Sequence, residues 1–189
     1  MKYLAIIMTS FSFSLFCIDL YAAELKIEPI YGVERTQRYF PEPTRYKTQT
    51  FFGVRALYGV PTFSAELELN QSQDSEEFPS DNLEVTYKTQ SALFGFRTYP
   101  IASKYIGAYL RFGARARKYI ETRTENGEET TEERPITLDP YGGAGFTLVF
   151  GNNFALNAGA TLVYNRDADE AEKYDTRYTL SFTFKASNR

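Results

Sequence analysis

After residue 23 the chain alternates apolar and polar positions one by one over most of its length. In residues 105–120, Ile106, Ala108, Leu110, Phe112, Ala114 and Ala116 fall on one face, and Gly107, Tyr109, Arg111, Gly113, Arg115 and Arg117 on the other. A period of two belongs to a β-strand, whose side chains point alternately to its two faces. Residues 153–165 repeat the separation, with Phe154, Leu156, Ala158, Ala160, Leu162 and Tyr164 against Asn157, Gly159, Thr161 and Asn165. So do residues 173–185, 44–58 and 61–70, the last setting Phe63, Ala65, Leu67 and Leu69 against Ser64, Glu66, Glu68 and Asn70. Less regular segments at 24–34, 83–99 and 135–150 complete eight predicted strands.

The connections carry a second pattern. Gly59-Val60, residues 100–103 and Gly151-Asn152 are short, whereas 35–43, 71–82, 121–134 and 165–172 are long and polar. Short and long alternate strictly, as in an antiparallel meander whose two ends face different surroundings. No linker, internal repeat or low-complexity stretch divides the chain.

Residues 1–23 differ from the rest. Lys2 is followed by an apolar run over 4–16, then by Leu20-Tyr21-Ala22-Ala23 just before Glu24. This is the three-part pattern of a cleaved signal peptide, and the run is shorter than the roughly 20 residues of a spanning helix. Bulky Phe16 before Cys17 argues against a lipid-modified cysteine, so residues 24–189 are expected to form one domain without cysteine. That composition suits an oxidising compartment. The chain also has no His, which removes the commonest general base and metal ligand. No catalytic residue and no cofactor are therefore expected. A net charge of -3 does not suggest nucleic acid as a partner.

Alternation alone leaves open which face is buried. Tyr46 and Tyr58, Phe154 and Tyr164, and Tyr174 and Phe184 mark opposite ends of the apolar face on three strands. About 10 to 12 residues at about 3.3 Å each, tilted by about 40°, span roughly 25 to 30 Å, the height of a lipid-facing band with its aromatic girdles. In lipid every backbone amide must be paired, which closes the sheet. The expected fold is all-β: an eight-stranded antiparallel up-and-down transmembrane β-barrel behind an N-terminal signal peptide. Across nearly all of residues 24–189 the pattern resembles the small outer-membrane barrels of the OmpA/OmpX-like class. Phe182 and Phe184 match the aromatic end of that class's last strand, although five residues follow them. The resemblance implies the bacterial outer membrane, lipopolysaccharide and other outer-membrane lipid as surroundings, the barrel-assembly machinery as a partner, and a monomer.

With eight strands the interior is just filled by side chains. Arg55, Glu66, Glu68, Arg97, Arg111, Arg115, Arg117, Asp139 and Arg177 fall on the inward face, with Glu28, Lys47 and Asp175. Charges placed there must pair, so an ion-pair network filling the lumen is expected. An anion-preferring pore lined by the arginines is the first alternative, and a periplasmic lipid-binding barrel with an apolar lumen is the second. Residues 71–82 and 121–134 each carry net -4, read as solvated acidic loops. Asp167, Asp169, Glu170 and Glu172 are the candidate site for a loop-bound divalent cation, without the spacing of an EF-hand. Asn126-Gly127 favours a type I′ turn, and Thr122, Thr124, Thr130 and Thr131 around it suit strands. A hairpin there would offer an edge to an extracellular partner. The function expected is non-enzymatic: a structural or surface-interaction role through acidic extracellular loops.

Overall fold

The computed structural model describes residues 23–38, 45–79, 82–151, 154–166 and 173–185. Nine strands are present: β1 (Glu24–Arg38), β2 (Arg45–Val60), β3 (Phe63–Phe78), β4 (Leu83–Ala102), β5 (Ile106–Glu125), β6 (Glu128–Glu133), β7 (Thr137–Phe150), β8 (Phe154–Tyr164) and β9 (Tyr174–Lys185). Eight of them close a ring of antiparallel neighbours, β1-β2-β3-β4-β5-β7-β8-β9, with β1 pairing β9 at the seam. β6 stands outside the ring and pairs with the far end of β5. Glu24 faces Gly59, and Lys26 faces Lys185, so both ends of the described barrel lie beside the three tight turns.

Alternation decides which side chains enter the ring. Phe112 is 50% exposed on the outside, and its neighbours Arg111 and Arg115 are buried within. Leu67, Leu69, Phe94, Phe146, Leu162, Leu180 and Phe182 belong to the same exposed apolar belt. Its borders are aromatic: Phe154 meets Phe184 edge-on at 5.7 Å between ring centres, and Tyr164 meets Tyr174 at 5.6 Å at the other end of the same strands. An apolar belt outside a polar interior is the arrangement a bilayer requires. It overturns the alternative of a lipid-binding barrel with an apolar lumen.

Two prolines mark local departures from regular pairing. Pro100 lies in a bulge, where the β4–β5 register shifts between Thr98 and Ile101, because proline supplies no ladder N–H. Along the β1–β9 seam the register is constant, yet Glu28 and Pro29 are missing from the paired set; Pro29 has no N–H to give.

The strands run further than the alternation predicts. Residues 71–78, read as part of an acidic loop, continue β3, because Ser72 to Phe78 pair in unbroken register with Thr89 to Leu83 of β4. Likewise β1 reaches Arg38, inside the expected 35–43 loop, and residues 121–133 form the β5–β6 hairpin on the Asn126-Gly127 turn. Both turn residues have positive φ, 52° and 87°, the left-handed conformations that a type I′ turn needs. β3, β4, β5 and β6 thus make a four-stranded sheet standing clear of the belt, its tips tied by a 2.9 Å hydrogen bond from Asn82 Nδ2 to Asn126 Oδ1. Most of residues 1–23, together with 39–44 and 186–189, lies outside the described residues.

Inside the ring, aromatic rings lie flat on glycines. The Tyr109 ring covers Gly145 and Gly159, Phe51 covers Gly32, and Tyr141 reaches over Gly95. A Cβ at Gly159 would fall on the Tyr109 hydroxyl, so larger side chains there displace the ring. Gly159→Val is expected to cost the folded barrel about 1 to 3 kcal/mol through overpacking. Urea unfolding of the refolded protein in detergent micelles, followed by intrinsic tyrosine fluorescence, measures it.

Candidate functional site

The alternation sends a charged residue inward from nearly every strand, and the register sets them at matching heights. Near the tight turns Glu28 accepts hydrogen bonds from Thr183 (2.6 Å), Ser181 (3.1 Å), Asn157 (3.2 Å) and Arg55 (3.0 Å). Arg55 also reaches Glu68 at 2.6 Å. Arg97 and Arg111 stand directly opposite each other on β4 and β5. Such a like-charged pair is unfavourable by itself. Glu66 resolves it by taking Arg97 at 2.8 Å on one oxygen and Arg111 on the other.

Further along the axis, Glu68 accepts from Arg111 at 2.9 Å and from Arg177 at 3.2 Å. Arg177 passes the chain on to Glu34 at 3.2 Å. Arg115 then bonds Glu34 (2.5 Å), Asp175 (2.7 Å) and Asp139 (3.4 Å), and Arg117 bonds Asp175 at 3.0 Å. The continuous cluster holds six guanidinium groups, Arg55, Arg97, Arg111, Arg115, Arg117 and Arg177, against six carboxylates, Glu28, Glu34, Glu66, Glu68, Asp139 and Asp175. Its formal charge is zero. Three of the lumen rings add a second layer: Arg97 lies 4.4 Å over Tyr109, Arg111 5.0 Å over Tyr141, and Arg177 4.3 Å over Phe51. Each of these arginines is therefore held by carboxylates at its edge and an aromatic face on its plane, contacts that suit a weakly hydrated planar cation.

Of the twelve charges expected to point inward, eleven lie in this cluster; Lys47 instead stands half-exposed at the opposite mouth, paired with Asp74 and Glu76. Glu34 was missed, although the parity running from Glu28 places it on the same face. A second group lies at the opposite mouth, and of it only Lys47 is among the charges the alternation turns inward. Arg38, fully buried, donates to Gln49 (2.7 Å) and Asp74 (3.3 Å) and covers the Tyr87 ring at 4.0 Å. Lys47 meets Asp74 at 2.8 Å and Glu76 at 2.9 Å, and Arg45 also bonds Glu76. Asp74 and Glu76 were read as solvated loop acids; they are latches between β2 and the outer half of β3. Glu121 is buried and bonded by Arg123 at 2.6 Å.

A cup of about 780 Å³ opens at this mouth, with Arg117, Tyr119, Arg134, Asp139 and Arg166 among its walls. Arg117 and Asp139 join its wall to the lumen cluster, through Asp175 and Arg115. Asp167, Asp169, Glu170 and Glu172, the candidate cation site, lie outside the described residues. Among the described residues no three acidic, His or Cys side chains converge as a metal ion would need.

No protein-family model matches the sequence, and no curated protein matches it. Solved structures do. Ail, the attachment invasion locus protein of Yersinia pestis, is 13% identical over 87% of this chain and 97% of its own, with a TM-score of 0.56. Neisserial surface protein A is 11% identical over 87% and 97%, with a TM-score of 0.53. Acinetobacter baumannii CarO is 11% identical over 84% and 97%, with a TM-score of 0.52. At such identities the likeness is one of fold. The fold is that of the small eight-stranded outer-membrane β-barrels.

Glu66 is the residue on which the cluster turns. Glu66→Ala leaves Arg97 and Arg111 facing each other without their shared acceptor, and about 3 to 5 kcal/mol of stability is expected to be lost. Replacing Glu66 and Arg97 together with Met restores much of it, since five guanidinium groups then balance five carboxylates, Arg111 keeping Glu68 and Arg55 keeping Glu28. Denaturant midpoints of the two variants beside the wild type test both expectations.

Proposed function

We propose that the chain is a non-enzymatic integral protein of the bacterial outer membrane, exported behind residues 1–23, that works through its extracellular surface. The observation that carries the reading is the pairing of an exposed apolar belt with a lumen packed by a neutral cluster of six arginines and six carboxylates. A lumen filled in this way serves as a core. The polar surface left for recognition is then the sheet of β3 to β6 and the mouth beside it. Glu77, Glu84, Glu125, Glu128, Glu129, Glu132 and Glu133 are exposed there, which gives that surface its acidic character. The absence of His removes the usual catalytic base from any enzymatic reading. The neighbour from Yersinia pestis is an attachment protein by name, and a role in surface attachment is of the same kind. Lipopolysaccharide surrounds the belt, the barrel-assembly machinery inserts it, and the barrel acts as a monomer.

The rival reading is an anion channel lined by the lumen arginines. Glu66 and Glu68 oppose it, since each neutralises guanidinium groups that would otherwise attract anions.

Two measurements test the proposal. In planar bilayers the reconstituted barrel is expected to give no steady single-channel current; a reproducible anion-selective conductance would establish the rival. On intact cells, Cys introduced by Glu128→Cys is expected to react with a membrane-impermeant maleimide, whereas Cys introduced by Lys104→Cys, at a tight turn, reacts only after lysis. The reverse labelling would place the acidic sheet in the periplasm and overturn the reading.

A further inference from the structure

Among the described residues the sheet of β3 to β6 has one open side. β4 and β5 are each paired on both sides over its height. The outer half of β3 is unpaired on the β2 side beyond Gln71, but Arg45 and Lys47 of β2 reach across to Asp74 and Glu76 and close that gap with ion pairs. β6 pairs with β5 alone among the described residues, and all six of its residues are exposed.

The hairpin geometry says which groups point outward. A two-residue turn closes on a hydrogen-bonded pair, here Glu125 and Glu128, and such pairs then recur at every second residue. The bond from Arg134 N to Tyr119 O, 3.0 Å, lies in the same phase. Glu129, Thr131 and Glu133 therefore turn their N–H and C=O groups away from β5. The row through Thr131 is one of hydroxyls: Ser75 bonds Thr86 at 2.9 Å, Thr86 stands opposite Thr122, and Thr122 bonds Thr131 at 3.3 Å. A further strand would extend a regular four-strand row.

Charge decides what that strand can be. β6 carries four glutamates in six residues, so a second copy of this chain would set glutamates against glutamates, which is unfavourable across a strand pair. A segment with Lys or Arg at alternate positions would meet Glu129 and Glu133 on one face, or Glu128 and Glu132 on the other. Glu133 and Glu132 each already share one cation with β5, Lys118 and Arg123, which leaves β6 net negative by two. We propose that the free edge of β6 binds an extended, basic segment of another protein by strand addition, through the backbone groups of Glu129, Thr131 and Glu133. This rests on the surface-interaction reading and names the chemistry of its partner.

The test uses the full barrel in lipid nanodiscs and three synthetic nine-residue peptides. One alternates Lys and Thr, one has the same number of lysines with proline replacing the threonines, and one alternates Glu and Thr. The Lys-Thr peptide is expected to bind at least tenfold more tightly than the other two and to slow hydrogen exchange at Glu129, Thr131 and Glu133. Thr131→Pro removes one outward N–H and leaves the β5–β6 backbone bonds, losing only the Thr122–Thr131 hydroxyl contact, and is expected to weaken binding at least tenfold. Thr131→Ala, which loses that hydroxyl but keeps the N–H, is expected to bind as the wild type does. The pair Glu129→Lys with Glu133→Lys keeps the edge and is expected to shift preference to the Glu-Thr peptide. Equal binding of the proline peptide, indifference to Thr131→Pro, or no binding of the Lys-Thr peptide at millimolar concentration would each overturn strand addition. Labelling at position 128 on intact cells is read separately: a labelled barrel that binds no peptide refutes the edge and leaves the surface assignment standing.

Discussion

A charge cannot be left alone inside a closed sheet surrounded by hydrocarbon. Ionised groups taken out of water cost several kcal/mol each unless they are paired and hydrogen-bonded, and the ring of eight strands gives its inward side chains no exit to the side. That requirement shapes the interior. Six guanidinium groups are balanced by six carboxylates, Glu28 is ringed by hydroxyl and amide donors, and Glu66 separates two arginines that the register sets face to face. The cluster joins side chains from β1, β2, β3, β4, β5, β7 and β9, so it ties together strands far apart in the ring. In a narrow barrel whose outer surface gains nothing from packing against itself, these cross-ring bonds do much of the work that an apolar core does in a water-soluble protein.

The rings on glycines follow from the same shortage of space. Tyr109 can lie flat only because β7 and β8 offer Gly145 and Gly159 beneath it. The plane so formed faces Arg97 at 4.4 Å. Phe51 does the same with Gly32 and Arg177, and Tyr141 with Gly95 and Arg111. Glycine, ring and guanidinium form a repeated sandwich that fills the lumen's width with little void. It also restrains the arginines laterally, where carboxylates alone would leave them free to tilt.

Beyond the belt the constraint changes. Water is available on both sides of the sheet, so its outer face can carry hydroxyls, glutamines and glutamates. The latch of Arg38, Arg45 and Lys47 on Asp74 and Glu76 holds β2 against β3 where their backbones part. Among the described residues β6 is ion-paired to β5 alone, Glu133 with Lys118 and Glu132 with Arg123. The difference between the two sides of the sheet is thus one of design in charge: basic residues close one edge, and acidic residues keep the other open and soluble.

How far the sequence could be read follows the same boundary. Within the belt, one face meets hydrocarbon and the other does not, so Phe112 beside Arg111, or Phe182 beside Ser181, reveals strand, face and orientation at once. The signal peptide pattern and the alternation of tight turns with long connections agree with it. Above the belt both faces are polar, the period of two loses its chemical contrast, and residues 71–78 read as a loop although they pair with β4. Only the short-range chemistry of Asn126-Gly127 showed through, because a type I′ turn depends on two residues and not on their surroundings. Which arginine meets which carboxylate was beyond reach, since partners such as Glu28 and Thr183 lie at opposite ends of the chain and are joined only when the ring closes. Composition and periodicity determined a barrel with hydrocarbon outside and charge within; strand register across the closed ring decided the pairing, because side chains from separate strands share a height only once that register is set.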